Sequence, residues 1–161
     1  MKGLFVMVAL ILLLLLTISL IGFDPKDQRS GLRSSGQLAT AQVTDWSFTD
    51  QHEEILVQTN TQYGIPHSIT NHCTDYDGEF YLFSAYYRGG NFPEDRAWNR
   101  NVIWGSRVRL TIGDTLYYQQ LSVVTDLSLR AAVHTELLAK YFRWKSPGLD
   151  QVYMFQVDSL R

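Results

Sequence analysis

Residues 68–84 have the sequence SITNHCTDYDGEFYLFS, in which two β-type runs flank the pair Asp77-Gly78. Asp-Gly is favoured in two-residue hairpin turns because both of its positions tolerate a positive φ angle. The flanking runs carry the β-branched and aromatic residues that are enriched in strands. This stretch therefore predicts an antiparallel hairpin, and the rest of the chain is interpreted outward from it.

A second hairpin is indicated further along the chain. Gly113-Asp114 separates the run Arg107–Ile112 from residues 115–118. Polar and apolar residues alternate from Arg107 to Ile112, which is the pattern of a half-buried strand. Three more β-type runs are found, at residues 54–59, 121–125 and 151–157.

Helices are fewer than strands. Asp126 is a suitable N-cap for a helix over Leu127–Tyr141, in which apolar residues recur every four positions. A short helix around Glu94–Ile103 would join the two hairpins. Six or seven strands and two helices within residues 42–161 predict a mostly β (β+α) fold, a small antiparallel barrel with flanking helices.

The chain begins with an apolar segment. From Leu4 to Phe23 it is uncharged, and about 20 residues of helix match the roughly 30 Å core of a bilayer. A cleaved signal peptide is the alternative, but its apolar region is usually about 7–15 residues and precedes a small-x-small site. After a flank of residues 1–3, residues 4–23 are therefore predicted to be a transmembrane anchor, which makes the protein single-pass at the cell membrane.

Residues 24–41 are rich in Gly, Ser, Asp, Gln and Arg without periodicity, and they predict a flexible tether to the domain at 42–161. More Lys and Arg residues follow the apolar segment than precede it, so the positive-inside rule favours a cytoplasmic domain. The net charge of −2 gives no electrostatic argument for a nucleic-acid partner.

Three blocks of sequence resemble the flavin- and deazaflavin-binding split β-barrel superfamily, in particular its deazaflavin (F420)-dependent nitroreductase and quinone-reductase group. The first block contains the Gly-x-Pro turn of residues 63–68. The second is the strand of residues 77–84, followed by Gly89-Gly90. The third is the Trp98-x-x-Asn101 helix with the strand and glycine turn of residues 107–114.

The resemblance implies that FMN or F420 lies in a groove between barrel and helix. It implies hydride transfer to a quinone-like or other small electrophile, which the anchor would make a lipophilic one, and it implies a possible homodimer. Arg88, Gly89 and Gly90 would hold phosphate. The full set of implied cofactor-binding residues is His67, Ser68, Ser84, Arg88, Gly89, Gly90, Trp98, Asn99 and Asn101.

One departure from the family pattern affects the predicted chemistry. The family carries several Arg or Lys residues around the Gly-x-Pro turn, whereas residues 60–68 of this chain have no fixed positive charge. Arg88, Arg96 and Arg100 are the residues that could compensate, since phosphate normally needs Arg, Lys or helix-terminal amides. The alternative is a non-enzymatic ligand- or protein-binding module on the same fold.

Several candidates also have a purely structural interpretation. His67 could be a hydrogen-bonded residue at a strand start, and Asn99 and Asn101 could brace a loop. Aromatic residues could line a ligand pocket or fill the barrel; these are Tyr81, Tyr86, Tyr87, Trp98 and Trp104.

A metal site is not predicted. His67, His72, Cys73 and Asp75 are close in sequence, but strand alternation puts His67 and Cys73 on one face and His72 on the other. Cys73, the only cysteine, lies in an apparent strand and is expected to be a buried, inert thiol.

Overall fold

The computed structural model describes residues 2–20, 23–26, 29–143 and 147–160, with the backbone alone for residues 18–20. The described helices are α1 (Lys2–Leu20), α2 (Ala97–Trp104) and α3 (Leu127–Lys140), with two 3-10 turns at Ser47–Gln51 and Leu149–Gln151. The described strands are β1 (Gln37–Leu38), β2 (Glu54–Asn60), β3 (Pro66–Tyr76), β4 (Glu79–Ala85), β5 (Arg107–Ile112), β6 (Thr115–Val123) and β7 (Val152–Ser159).

Six strands form a closed antiparallel barrel. They are ordered β6-β5-β2-β3-β4-β7, and β7 pairs with the second half of β6 to close the ring. The short β1 pairs in parallel with the first residues of β6, beside the part that β7 leaves unpaired. The predicted class, a small antiparallel β-barrel with flanking helices, is confirmed.

The two predicted hairpin turns are present. Asp77 and Gly78 both have positive φ angles, of 54° and 78°, as a tight turn of this kind requires. Gly113 has a φ angle of 57° between β5 and β6. These turns fix the register in which β3 pairs with β4 and β5 pairs with β6.

The apolar core has two layers. Inside the barrel lies a cluster that includes Val57, Phe80, Leu82, Leu110 and Phe155, each with no exposed surface or nearly none. Outside it, α3 packs on β4 and β7 through a second cluster. This second layer consists of Tyr81, Phe83, Val124, Val133, Leu137, Tyr141, Val152 and Met154.

Helix α3 begins and packs largely as its sequence predicts. The Asp126 carboxylate accepts a hydrogen bond from the Leu129 N–H at 2.7 Å, as an N-cap does. Val133, Leu137 and Tyr141 are buried, whereas Phe142 is 75% exposed. The helix ends at Lys140, and of the two apolar residues just beyond it Tyr141 is buried and Phe142 is not.

The barrel is split between β3 and β4. Within residues 66–85, all of which the structure describes, β3 pairs with β2 from Pro66 to His72 but with β4 only from Cys73 to Tyr76. On its other edge β4 pairs with β7 from Tyr81 to Ala85, so the last three residues of β4 have β7 as their one neighbouring strand. One side of the first half of β3 is therefore left without a neighbouring barrel strand.

The predicted membrane anchor at residues 4–23 is wrong. In the described part of the chain, no helix has the length and apolar character needed to cross a bilayer, for which about 20 apolar residues are required. Helix α1 comprises Lys2–Leu20, and residues 21 and 22 of the predicted span lie outside the described residues. The predicted single-pass localisation at the cell membrane depended on this anchor and is therefore also wrong. The membrane is not supported as a partner.

The segment predicted as a flexible tether makes many defined contacts. Residues 23–26 and 29–35, here called the strap, pair with themselves and with β3, and the chain then continues into β1. The Gln37 and Ala39 N–H groups donate to the Asp114 and Leu116 carbonyls at 2.8 and 2.9 Å. The domain surface therefore includes residues that composition alone assigned to a linker.

Replacement of Leu110 tests the barrel core. Leu110 is fully buried, so Leu110→Ala should lower the free energy of unfolding by about 2–5 kcal/mol, measured by urea denaturation. Leu38→Ala is the control because Leu38 is 59% exposed, and it should change the stability by less than about 0.5 kcal/mol. Equal effects of the two replacements would contradict the described core.

Candidate functional site

A cavity of about 670 Å³ lies in the split of the barrel. Cofactor and small-molecule sites typically have volumes of about 300–1,000 Å³. Residues of the strap, of β2, β3, β4, β7, α2 and α3 and of the loops between them contribute to its lining. The lining residues are Arg29, Ser30, Glu54, Ile69, Thr70, Asn71, His72, Phe83, Ala85, Tyr87, Arg96, Trp98, Leu137, Tyr141, Pro147 and Val152.

The edge of β3 presents backbone polar groups to this split cavity. Ser68 exchanges two hydrogen bonds with Gly31, at 2.8 and 3.1 Å, so its N–H and C=O point away from β2. In an antiparallel strand the backbone N–H and C=O of successive residues point alternately to one neighbouring strand and to the other. Thr70 is two residues from Ser68, so its N–H and C=O also point away from β2. Thr70 lines the cavity and offers it one donor and one acceptor in fixed positions.

Asn71 adds a side-chain donor beside Thr70. Its Oδ1 accepts a hydrogen bond from the His72 N–H at 3.0 Å, and the side chain is only 8% exposed. Its Nδ2 is buried and has no hydrogen-bond partner among the described residues. A buried amide donor without a partner is unfavourable by about 1–3 kcal/mol, so Nδ2 is available to a bound acceptor.

Aromatic side chains form the walls of the split cavity. Phe83 lies on β4, Trp98 on α2 and Tyr87 in the loop between them. Trp98 packs on Phe155 with a ring-centroid distance of 4.9 Å, which holds its indole in place. These walls suit a flat, aromatic ligand.

Two guanidinium groups supply positive charge to the cavity. The Arg96 Nη2 donates to the Ala85 carbonyl, and the Arg96 guanidinium lies 5.0 Å from the centre of the Tyr86 ring. Arg29 contributes from the strap. Among the described residues the one ion pair joins Lys140 to Asp50, at 3.6 Å. Neither Arg96 nor Arg29 therefore forms an ion pair with a described carboxylate, and Glu54 lines the same cavity.

The other titratable groups add little positive charge. Burial is the main reason that the pKa of His72 lies below its ordinary value, so this imidazole is neutral at pH 7. Its ring packs edge-on against Tyr141 at 5.2 Å. Glu54 is the one carboxylate among the lining residues.

A second cavity of about 400 Å³ lies beside residues 88–90, here called the glycine loop. It is lined by Tyr86, Tyr87, Arg88, Gly89, Asp95 and Arg96, so Tyr87 and Arg96 line both cavities. The structure brings the predicted Arg88 and Gly89 to this second cavity and not to the split.

A carboxylate already lies beside the glycine loop. The Asp95 Oδ2 accepts a hydrogen bond from the Asn91 N–H at 2.8 Å. Gly90 has a φ angle of 145°, and a Cβ there would lie 2.6 Å from the Tyr86 ring, so a glycine is required. The Asn91 amide, next to the residues predicted to hold phosphate, is therefore used by a side chain of the protein, and the Gly89 N–H donates to the Tyr86 carbonyl at 3.0 Å.

Three predicted residues form buried hydrogen bonds within the protein. The Asn99 Nδ2 donates to the Ser84 Oγ and the Tyr86 hydroxyl, both at 2.8 Å. The Asn101 Nδ2 donates to the Thr59 Oγ1 at 2.9 Å. None of Ser84, Asn99 or Asn101 lines either cavity, and these contacts agree with the bracing alternative.

His67 and Ser68 lie on β3 but line neither cavity. Burial first, and Arg100 second, lower the pKa of His67, which places Arg100 near this imidazole. The His67 Nδ1 and Ser68 Oγ are buried without a hydrogen-bond partner among the described residues. Of the nine predicted site residues, Trp98 alone lines the split cavity.

The polar residues of the split cavity carry no functional signal in the sequence. Thr70 and Asn71 were assigned to a strand without a functional role, because the split is a consequence of β4 leaving β3 and has no local sequence signal. Arg29 was assigned to a tether on composition. Arg96 was recognised only as a residue that could compensate for missing charge.

His72 and Cys73 lie on opposite faces of β3, as predicted. Cys73 is in the barrel core, whereas His72 packs outside against Tyr141. Burial raises the pKa of Cys73 from its usual 9.0 to about 11. The described residues contain no group of three or more His, Cys, Asp or Glu side chains that could hold a metal ion.

Comparison with known proteins identifies the fold. No protein-family model matches the chain, and no curated protein matches it. A candidate 5-nitroimidazole antibiotic resistance protein from Bacteroides thetaiotaomicron matches 84% of this chain and 86% of its own, with 11% identity and a TM-score of 0.56.

Two further solved structures are similar. A candidate pyridoxamine 5′-phosphate oxidase from Listeria innocua has 12% identity and a TM-score of 0.52, covering 70% of this chain and 88% of its own. HutZ, a heme storage protein from Vibrio cholerae, has 13% identity and a TM-score of 0.51, covering 71% and 87%. The chain has the split β-barrel fold, and the predicted resemblance is confirmed in the fold.

Replacement of Asn99 tests its bracing role. Asn99→Ala would leave the buried Ser84 and Tyr86 hydroxyls without their donor, so the free energy of unfolding should fall by about 1–3 kcal/mol in the absence of any ligand. Asn60→Ala is the matched control, because Asn60 is exposed at the end of β2. An Asn99 variant as stable as the wild type would contradict this role.

The reactivity of Cys73 tests the description of its surroundings. A thiol that is buried and has a pKa of about 11 should resist iodoacetamide at pH 8, and it should react fully after unfolding in urea. Mass spectrometry measures the modified fraction. Rapid modification of the folded protein would show that the thiol is accessible.

Proposed function

We propose that the split cavity binds FMN or F420 and that the protein transfers a hydride from this cofactor to a small electrophile. One observation carries the proposal. A single 670 Å³ cavity combines a strand edge with free polar groups, aromatic walls and two arginines that form no ion pair with a described carboxylate. A flavin or deazaflavin has matching parts, which are a flat ring with a polar edge and a phosphorylated side chain.

Each group of lining residues has a role in this proposal. The N–H and C=O of Thr70 and the Nδ2 of Asn71 would hydrogen-bond the polar edge of the ring. Phe83 and Trp98 would cover its faces and exclude water. Arg96 would bind phosphate, because guanidinium groups form strong charge-assisted hydrogen bonds with it. When bound, the cofactor supplies the hydride, which protein side chains cannot supply themselves.

The similar structures support a heterocyclic ligand. The Bacteroides and Listeria proteins are named for a 5-nitroimidazole and for pyridoxamine 5′-phosphate, both of which are small heterocycles. A nitro-heterocycle is also an electrophile. The resemblance implied a quinone-like or other small electrophile, and the membrane anchor was the reason for expecting a lipophilic one. The second reason no longer applies.

The residues first predicted to hold phosphate keep a place in the proposal. Arg88 and Gly89 line the second cavity, which shares Tyr87 and Arg96 with the first. A phosphate bound at Arg96 would therefore lie at the junction of the two cavities. Ser84, Asn99 and Asn101 would act indirectly by holding Tyr86 and α2 in position.

A binding module without turnover is the second candidate. It is favoured by the Asp95 carboxylate at the glycine loop and by the lack of fixed charge at residues 60–68. The Vibrio protein, which is named for heme storage, is consistent with a binding role on this fold. In that case the split cavity would hold a flat ligand and no acceptor would be reduced.

Titration of the full chain separates these functions. FMN, oxidised and reduced F420, and hemin are each added while the tryptophan fluorescence and the absorption spectrum are recorded. We expect micromolar binding of FMN or F420 and reduction of a nitro-heterocycle by the reduced complex. Arg96→Gln should weaken binding about tenfold, equivalent to about 1.4 kcal/mol.

Arg107→Gln is the matched control, because Arg107 is exposed on β5 and lines neither cavity. Binding of hemin alone would favour the storage candidate. No binding of any of these ligands at high protein concentration would contradict the proposed function.

A further inference from the structure

The strap forms a narrow hairpin of its own. The Phe23 N–H donates to the Arg33 carbonyl at 2.8 Å, and the Leu32 N–H donates to the Phe23 carbonyl at 2.7 Å. Lys26 and Arg29 exchange two further backbone hydrogen bonds, at 3.2 and 3.0 Å. The backbone of Arg29 therefore has a defined position beside Lys26.

Gly31 connects this hairpin to the open side of the split. It exchanges two backbone hydrogen bonds with Ser68 on β3, on the side that β4 leaves unpaired. A Cβ at residue 31 would overlap the opposite arm of the hairpin, lying 2.5 Å from the Pro25 nitrogen. Close passage of the two arms thus requires glycine at this position.

Polar side chains of the barrel hold the second arm of the strap. The Gln58 Oε1 accepts a hydrogen bond from the Ser34 N–H at 2.9 Å. The Arg109 Nη2 donates to the Ser34 carbonyl at 3.1 Å, and the Thr111 Oγ1 donates to the Ser35 carbonyl at 3.1 Å. Strands β2, β3 and β5 therefore all contact the strap.

The consequence is that a surface segment supplies part of the cavity lining. Arg29 and Ser30 line the split cavity together with Arg96, which precedes α2. Arg29 makes no ion pair with any described carboxylate. The strap thus brings a second unpaired guanidinium to the same cavity.

We infer that the strap closes the open side of the split barrel and that Arg29 binds the anionic group, a phosphate, of the ligand in the cavity. Bidentate guanidinium contacts are well suited to phosphate oxygens, and two such groups neutralise its charge better than one. The identity of the ligand as a flavin rests on the proposed function; the anion-binding role of Arg29 does not.

Four variants of the full chain test the inference. Arg29→Gln removes the charge, and Arg33→Gln is its matched control, because Arg33 is an exposed arginine of the same strap that does not line the cavity. Gly31→Ala dislodges the strap. Its control is Gly105→Ala, since a Cβ at residue 105 meets no atom within 4 Å.

The docking of the strap is measured without any ligand. Trypsin cleavage at Lys26, Arg29 and Arg33 should be slow in the wild type and in Gly105→Ala, and at least tenfold faster in Gly31→Ala. Thermal unfolding of the same samples shows whether the barrel remains folded. Equal cleavage rates in Gly31→Ala and the wild type, with the barrel folded in both, would overturn the closing role of the strap.

Anion binding is measured with two probes. Inorganic pyrophosphate should raise the melting temperature of the wild type and of Arg33→Gln but not of Arg29→Gln. FMN should bind at least tenfold more tightly than riboflavin, which lacks the phosphate, and Arg29→Gln should reduce this ratio to below threefold.

These outcomes separate the inference from the proposed function. Pyrophosphate binding that depends on Arg29, without binding of either flavin, would support the inference and contradict the flavin proposal. FMN binding that Arg29→Gln leaves unchanged, or that Arg88→Gln weakens instead, would overturn the inference alone. The absence of any effect of pyrophosphate on the wild type would also overturn it.

Discussion

The departure of β4 from β3 after a short ladder is the constraint on which the rest of the structure depends. Backbone N–H and C=O groups of a strand need partners, and those on one side of residues 66–72 receive none from β4. Gly31 satisfies Ser68, and the Asn71 side chain accepts from the His72 N–H. Thr70, between them, directs its groups into the cavity. The strap, the cavity and its polar edge thus have one common origin.

The fold around the cavity does not depend on strand pairing between β4 and the first half of β3, which is absent. The barrel closes on its other side through β6 and β7, and α3 covers β4 and β7 with an apolar layer. Buried hydrogen bonds from Asn99 hold Tyr86, over which Arg96 lies. The position of Arg96 at the cavity is therefore supported by a buried network, whereas Arg29 is an exposed residue of the strap.

Local features of the fold could be predicted from sequence, whereas the site could be predicted only in small part. The Asp77-Gly78 turn and the Asp126 cap depend on a few adjacent residues, so their chemistry is visible in the sequence. Asn99 and Asn101 were predicted to bind a cofactor, but their hydrogen bonds go to residues 13 to 42 positions away. The strap was missed for a related reason, since Gly31 is indistinguishable from a linker glycine until Ser68 lies beside it.

The central claim is that the open edge of β3 is where the ligand binds, and the amide exchange rate of Thr70 tests it most directly. Hydrogen exchange followed by NMR on the full chain, with and without saturating FMN, gives this rate for each residue. Our account predicts that FMN slows exchange at Thr70 markedly and leaves the amides of the buried β5 strand unchanged. FMN binding that protects Gly89 and Gly90 while Thr70 exchanges as before would contradict it.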